Sequence, residues 1–134
     1  MWRRCLLSGT ALWLAAATPA PAFVAYVSNE KSNTVSVIDT DKWAVTATIK
    51  VGQRPRGIEF TKDGKFVLVA VGDDDKIEVI DTATRQVVDS LPSGPDPELF
   101  AQDAAGKILY VANENDNTVT IICLLYTSPS PRDS

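Results

Sequence analysis

Two arginines and two carboxylates are the side chains of this chain with the clearest potential for chemistry, because they occupy matching positions in two similar loops. Arg54 and Arg56 lie in the first loop, and Asp96 and Glu98 take their places 42 residues further along the chain. Guanidinium groups form strong, often bidentate hydrogen bonds with carboxylates and phosphates. The four residues can therefore recognise an anionic metabolite or a partner protein, or they can pair with one another.

The composition excludes several other kinds of chemistry. The 134 residues include no histidine, the usual general base and the commonest zinc ligand, and only two cysteines, Cys5 and Cys123. The 17 acidic residues outnumber the 13 basic ones, so the net charge of −4 offers no footprint for a nucleic acid. We predict no catalytic constellation, no metal site and no cofactor in this chain, which favours a binding protein over an enzyme.

The first 22 residues have the layout of a secretory signal peptide. A short basic region ends at Arg4, an apolar run of 13 residues follows, and small residues around Ala20 and Ala22 form a cleavage site. The apolar run is too short for a bilayer core, which needs about 20 residues; a membrane anchor or a buried helix is the alternative. We therefore predict cleavage after Ala22, a periplasmic or secreted chain, and no membrane span after cleavage.

Residues 123–134 differ from everything before them. They show no periodicity, and up to Asp133 they are similar to one reading frame of the transposase adapter used in sequencing libraries. We interpret 123–134 as an adapter-derived artefact, with a natural tail rich in proline and serine as the alternative. The folded domain is then predicted to span 23–122, without a cysteine and so without a disulfide.

That domain contains an internal repeat with an ungapped offset of 42 residues. Residues 26–67 and 68–109 share 10 identities in 42 positions, and residues 26–38 and 110–122 share 8 in 13. The repeat breaks at Cys123, where the pattern requires an aspartate like Asp39 and Asp81.

A repeat of about 40–45 residues with several short strands is typical of a β-propeller, which closes a ring of about 4–8 four-stranded blades. One complete unit predicts inner, second, third and outer strands at 57–61, 66–71, 76–81 and 86–91. We predict an all-β fold, an incomplete β-propeller of about two and a third repeats. The inner strand of the next unit is predicted at 99–103.

The repeated motifs carry a resemblance. Tyr26-Val27-Ser28-Asn29 and Tyr110-Val111-Ala112-Asn113 resemble the YVTN family of propeller repeats over almost all of 26–122. The loops 52–57 and 93–100 look more narrowly like the exported propeller proteins associated with PQQ-dependent alcohol catabolism. That resemblance implies about seven repeats and a periplasmic quinoprotein dehydrogenase, cytochrome or transport component as partner.

The four charged residues are expected at one mouth of the propeller channel, because both loops lead from an outer strand into the next inner strand. Ion pairs between neighbouring blades are the structural alternative to a binding site. Asp73, Asp74 and Asp75 can be read as a calcium site or as a solvated turn, and the turn is favoured. Trp43 can be a quinone-stacking residue or an edge-packing residue.

We therefore predict a periplasmic, non-catalytic propeller that binds a partner or small molecule in PQQ-linked alcohol oxidation. The alternatives are a propeller enzyme, either a lactonase or a subunit like that of a quinoprotein amine dehydrogenase, and a surface repeat or adhesion protein.

Overall fold

The computed structural model describes residues 23–124, which form three antiparallel sheets. The first sheet has the order β1-β2-β3, the second β4-β5-β6-β7 and the third β8-β9-β10. The strands are β1 (Val24–Asn29), β2 (Thr34–Asp39), β3 (Ala44–Lys50), β4 (Pro55–Phe60), β5 (Phe66–Val71), β6 (Lys76–Asp81), β7 (Gln86–Pro92), β8 (Pro97–Gln102), β9 (Ile108–Asn113) and β10 (Thr118–Cys123). A single 3₁₀ turn, Gly72–Asp74, separates β5 from β6.

Sequential strands pair with their neighbours, so the all-β prediction and the partial propeller are confirmed. The central strands β5 and β6 consist largely of valine, isoleucine and leucine, which favour a pleated sheet buried on both faces. The two are paired without a register shift from Phe66 opposite Asp81 to Val71 opposite Lys76. The second sheet is thus a complete four-stranded blade between two three-stranded ones.

Two apolar cores join the three sheets, one on each face of the second sheet. Val35 and Val37 of the first sheet pack against Val67 and Val69 of the second in one core. The other core places Leu68 and its neighbours in the second sheet against those of the third; its buried members are Leu68, Ala70, Ile77, Val79, Leu109, Val111 and Leu124. Because side chains alternate between the faces of a strand, adjacent residues of β5 serve different cores.

The inner strands begin earlier than the sequence predicted. β4 and β8 start at Pro55 and Pro97 rather than at Gly57 and Leu99, and each has an irregularity in register just after its proline. Proline has no backbone N–H to donate, but at the first position of an edge strand this costs the sheet no hydrogen bond. Pro55 and Pro97 can therefore each begin a strand. The other strands of the complete blade lie within one residue of their predicted bounds.

The described chain continues past the predicted domain boundary at residue 122. β10 ends at Cys123, whose thiol is free and exposed, and Leu124 is buried in the second core. The origin of 123–134 stays a prediction, and residues 125–134 lie outside the described residues. The predicted signal peptide, 1–22, also lies outside them.

The backbone repeats the 42-residue offset in its unusual conformations. Each residue with a positive φ recurs one unit later wherever the described chain extends that far, as in Asn33, Asp75 and Asn117; Trp43 and Arg85; Arg54 and Asp96; and Gly64 and Gly106. Asparagine, aspartate and glycine adopt this region most readily, whereas a tryptophan there is strained. The repeat therefore fixes turns as well as strands.

Candidate functional site at the loop mouth

The loops between sheets and the turns between second and third strands gather at one end of the molecule. Antiparallel strands alternate in direction, so 30–33, 52–54, 72–75, 94–96 and 114–117 all lie at this end, which we call the mouth. Inner strand β4 contacts both β1 and β8, so the second sheet lies between the first sheet and the third. All four charged residues singled out from the sequence lie at or beside the mouth.

Backbone hydrogen bonds hold the loop that carries Arg54. The Arg54 amide donates to Asn33 Oδ1 at 3.0 Å, and the Gly72 amide donates to the Arg54 carbonyl at 3.1 Å. The loop is thus attached to the first sheet and to the second. This attachment fixes the backbone from which the guanidinium extends.

Arg54 lies at the centre of a set of carboxylates. Its Nη2 donates to both oxygens of Asp96 at 2.6 and 2.7 Å, and its Nη1 donates to Asp73 Oδ1 at 3.0 Å. Glu30 and Glu114 lie at 3.9 and 4.0 Å from Nε and Nη2. The hydrogen bond to Asp96 raises the pKa of the Arg54 guanidinium, and the Asp96 side chain is itself nearly buried.

Arg56 forms a second set beside the first. Its Nη1 pairs with Glu98 Oε1 and lies 3.3 Å from Glu114 Oε2, while its Nη2 lies 3.5 Å from Glu30 Oε1. Both arginines therefore bridge the loops that enter the second and third sheets. The structure brings the four predicted residues together in ion pairs; their role in binding a ligand stays a prediction.

Sequence reasoning did not assign three carboxylates to this site. Together with the four predicted residues they make what we call the mouth cluster, which consists of Glu30, Arg54, Arg56, Asp73, Asp96, Glu98 and Glu114. The signal was present in the repeat, since Glu30 and Glu114 are equivalent positions two units apart. With five carboxylates around two guanidiniums, the cluster carries an excess of negative charge.

An open groove lies beside Arg56. It has a volume of about 470 Å³, and its lining residues come from all three sheets: Ser28, Glu30, Pro55, Arg56, Gly57, Glu98 and Leu99. Ser28 Oγ donates to the Arg56 carbonyl at 2.7 Å, so this hydrogen bond joins β1 to β4 beside the groove. A positively charged or hydrogen-bond-donating group fits these walls better than an anion, because both guanidiniums already have carboxylate partners.

The three successive aspartates each accept a hydrogen bond or pair with a cation, so they form more than a solvated turn. Asp73 pairs with Arg54, Asp74 Oδ2 accepts from the Gln53 amide at 2.9 Å, and Asp75 Oδ1 accepts from the Asp96 amide at 3.0 Å. Within residues 23–124, no group of three or more metal-ligating side chains is placed to hold an ion. The aspartates instead hold the two loops in place.

Asn29 and Asn113, the last residues of β1 and β9, each bond to the strand that follows. Asn29 Nδ2 donates to Thr34 and Ser36 hydroxyls at 3.1 and 2.9 Å. Asn113, two units of the repeat later, forms the same pair of bonds to Thr118 and Thr120 at 3.0 and 2.8 Å.

Trp43 lies at the opposite end from the mouth, in the turn before β3. Its residue surface is 83% exposed and its φ is +50°. The mouth cluster and Trp43 thus lie at opposite ends of the described part of the chain.

Comparison with solved structures shows the same fold in larger proteins. The chain is similar to Kuenenia stuttgartiensis hydrazine synthase, with a TM-score of 0.72 and 20% identity, covering 85% of this chain and 36% of that one. It is also similar to the dihydro-heme d1 dehydrogenase NirN, with a TM-score of 0.67 and 19% identity, covering 81% and 23%. A functionally unknown protein from Desulfotomaculum acetoxidans DSM 771 gives 0.60 and 21%, covering 74% and 37%.

The chain thus spans between about a quarter and about two fifths of the length of these structures. A search of curated proteins gave no significant match. The family model described as lactonase, seven-bladed β-propeller, matches residues 19–125, which is most of the sequence. With its repeat, its three blades and this match, the chain belongs to the lactonase seven-bladed β-propeller family.

Proposed function

We propose that this chain forms part of an exported, non-catalytic propeller that binds a partner through its mouth, within a system for PQQ-dependent alcohol oxidation. The mouth cluster is the observation that carries the proposal. It draws carboxylates from all three sheets to one end of the molecule, beside an open groove. Binding surfaces on loops held by a rigid scaffold are common in proteins.

The charge of the cluster defines the kind of partner. Glu30 and Glu114 are half exposed, and each lies beside a guanidinium that other carboxylates already neutralise. A surface with unbalanced negative charge attracts partners with positive groups and raises their rate of association at low salt. The partner is accordingly a periplasmic dehydrogenase, cytochrome or transport component with a basic surface patch, rather than the anionic metabolite that the sequence also allowed.

Affinity capture from periplasmic extract tests the proposal. The chain as bait should retain a component of the alcohol-oxidation system, and the yield should fall as salt is raised. Substituting Glu30→Gln together with Glu114→Gln should abolish most of the capture. Asp41→Asn is the matched control, because it removes a negative charge from an exposed turn at the opposite end.

Capture of the same component by the double variant at undiminished yield would contradict a role for the mouth cluster. Recovery of no dehydrogenase, cytochrome or transport component would contradict the proposed system.

The family match favours one other function, hydrolysis of a lactone. In that case a protein that carries this chain together with further blades should open lactone rings, and the residues responsible would lie near the mouth of the channel. Lactone hydrolysis that persists without any periplasmic partner would favour this enzyme over the binding protein.

A further inference from the structure

The outer strands of the first and second sheets occupy equivalent positions, but their outer edges differ. β3 and β7 are 42 residues apart, and each is the last strand of its sheet, with one edge unpaired in the described part of the chain. Blades of a propeller pack face to face around the axis, so the edge of an outer strand lies on the rim of the ring. The comparison of these two edges therefore does not depend on further blades.

Two amides of β3 point toward its outer edge. The Val51 amide donates to the Asn33 carbonyl at 3.1 Å, on the side of β2. The amides of an antiparallel strand alternate in direction, and the register is regular over this part of β3. The Ile49 amide therefore also faces β2, whereas the amides of Lys50 and Thr48 face outward.

The second sheet has lost or occupied both of the equivalent amides. The counterpart of Lys50 is Pro92, which has no amide hydrogen to donate. The counterpart of Thr48 is Ser90, whose amide donates to Asp89 Oδ1 at 2.8 Å. Prolines and charged side chains are the usual protection of an edge strand against pairing with another chain. β7 is therefore a protected edge.

The sequence of β3 has neither form of protection. Ala47 stands where β7 has Asp89, and its methyl group cannot accept a hydrogen bond from the next amide. Between Lys42 and Lys50 the sequence contains no charged residue and no proline. Valine, threonine and isoleucine, which favour strands, make up most of this stretch. The outer edge of β3 is therefore open to an added strand.

We propose that the outer edge of β3 binds an extended segment of a partner protein, which joins the first sheet as an added strand. Backbone hydrogen bonds to Thr48 and Lys50 supply the affinity, as in other cases of strand addition. The edge shares no residue with the mouth cluster, so the proposal does not rest on the proposed function.

The charges around β3 define the segment. Lysines flank the strand at Lys42 and Lys50, which favours a segment with an uncharged middle and an acidic residue at one end. β2 shows that a strand of this kind pairs with β3. Thr34–Asp39 is uncharged except for its last residue, and Asp39 forms an ion pair with Lys42 at 3.2 Å.

A synthetic peptide with the sequence of β2, blocked at both ends, is therefore the probe. Hydrogen exchange at single amides, followed by NMR on the full chain, is the readout. Without the peptide, the amides of Thr48 and Lys50 should exchange faster than that of Ile49. Saturating peptide should slow both outward amides by about tenfold or more, because each gains a hydrogen bond.

Lys50→Pro should weaken peptide binding by about tenfold, because it removes one outward donor. The strand should still form, since β7 carries Pro92 at the same position. Lys50→Ala is the matched control. It removes the same charge but keeps the amide, so its loss of affinity should be clearly smaller.

Asp89→Ala tests the protection of β7 in the opposite direction. It frees the Ser90 amide, whose exchange should become faster in the free chain and should then be slowed by the peptide. Thr48 should respond to the peptide in this variant as it does in the unsubstituted chain.

Exchange at Thr48 and Lys50 that saturating peptide leaves unchanged would overturn the proposal, and so would equal affinities of Lys50→Pro and Lys50→Ala. Slow exchange of both amides without the peptide, together with a two-copy mass in light scattering, would assign the edge to a second copy of the chain. That result would overturn the assignment to a partner protein.

Discussion

The loop that enters the second sheet and the loop that enters the third share a backbone and differ in charge. In both loops two amides donate to neighbouring side chains at 2.9–3.0 Å, Gly52 to Glu78 and Arg54 to Asn33 in the first, Gly94 to Thr120 and Asp96 to Asp75 in the second. The charged side chains are opposite in sign and bind each other. The contacts that repeat build the propeller, whereas the residues that change give the mouth its chemistry.

A substitution at the two equivalent glycines tests whether the shared backbone is equally constrained. A Cβ on Gly94 would overlap the Asn113 amide, with Asn113 Cγ only 2.8 Å away, and Asn113 is buried and held by two hydroxyls. Gly94→Ala should lower the free energy of unfolding by about 1–3 kcal/mol, as overpacking usually does. Chemical denaturation measures the change.

Gly52→Ala is the comparison, and its effect should be smaller. Its Cβ would overlap Asp74 Oδ2, the end of a side chain in a partly exposed turn, which can rotate away at the cost of its one hydrogen bond from the Gln53 amide. Equal losses of unfolding free energy for the two variants would show that the two loops are constrained in the same way and that the buried Asn113 makes Gly94 no less tolerant than Gly52.

The two arginines test how far the charges, rather than the backbone, hold the loops together. Arg54→Ala leaves Asp96 nearly buried and without its guanidinium, which is costly for an ionised group. The midpoint of thermal unfolding should fall by several degrees. Arg56→Ala should lower it less, because its partners Glu98 and Glu114 are substantially exposed and can be hydrated.

Asp96→Asn added to Arg54→Ala should restore part of the lost stability, because it removes the buried charge. Differential scanning fluorimetry of the three variants checks this order. A larger fall in the midpoint of thermal unfolding for Arg56→Ala than for Arg54→Ala would contradict the central role of Arg54 in the mouth cluster.

Most of the fold was predictable from the repeat. The 42-residue offset and the alternation of apolar residues located the strands, because each blade buries a period-two pattern on both faces. The starts of β4 and β8 were not predictable in this way. Pro55 and Pro97 read as turn residues in the sequence, and only their place on an inner edge makes a strand possible there.

The candidate site was predictable only in part. The equivalence of Arg54 and Asp96 placed opposite charges on adjacent loops, and the structure pairs them. The contribution of Glu30, Asp73 and Glu114 to this site was missed. These residues lie in turns, and the direction of the strands, not the local sequence, decides at which end of the sheet each turn lies. An excess of carboxylates becomes visible only when all the turns at one end are counted together.

Trp43 and Arg85 show where the sequence and the repeated backbone disagree. Both have a positive φ, +50° and +57°, at equivalent turns. Trp43 is largely exposed, so its replacement removes little packing. Trp43→Gly should therefore raise the free energy of unfolding by up to about 1 kcal/mol, since glycine relieves the left-handed strain. Urea denaturation measures it, and a destabilised variant would show that the indole makes a contact worth more than the strain.

The smallest expected effect concerns acid stability at the end opposite the mouth. Asp81 Oδ1 accepts from the Ala83 and Thr84 amides, both at 2.8 Å, and these hydrogen bonds lower the pKa of its carboxyl. Because the unfolded value is about 3.9 and the folded pKa lies below it, the ionised form favours the folded chain. The stabilisation is present in full above the unfolded pKa and is lost as pH falls through the folded pKa.

Asp81→Asn keeps an oxygen that can accept from the two amides but removes the titration. The unsubstituted chain should be the more stable of the two at neutral pH, and the difference should shrink once the pH falls below the unfolded pKa of about 3.9. Thermal unfolding across this range measures the difference, with Asp41→Asn in the exposed turn after β2 as control. A difference that does not change with pH would show that geometry rather than charge gives Asp81 its effect. The turn would then resemble the repeated backbone contacts of the mouth rather than its ion pairs.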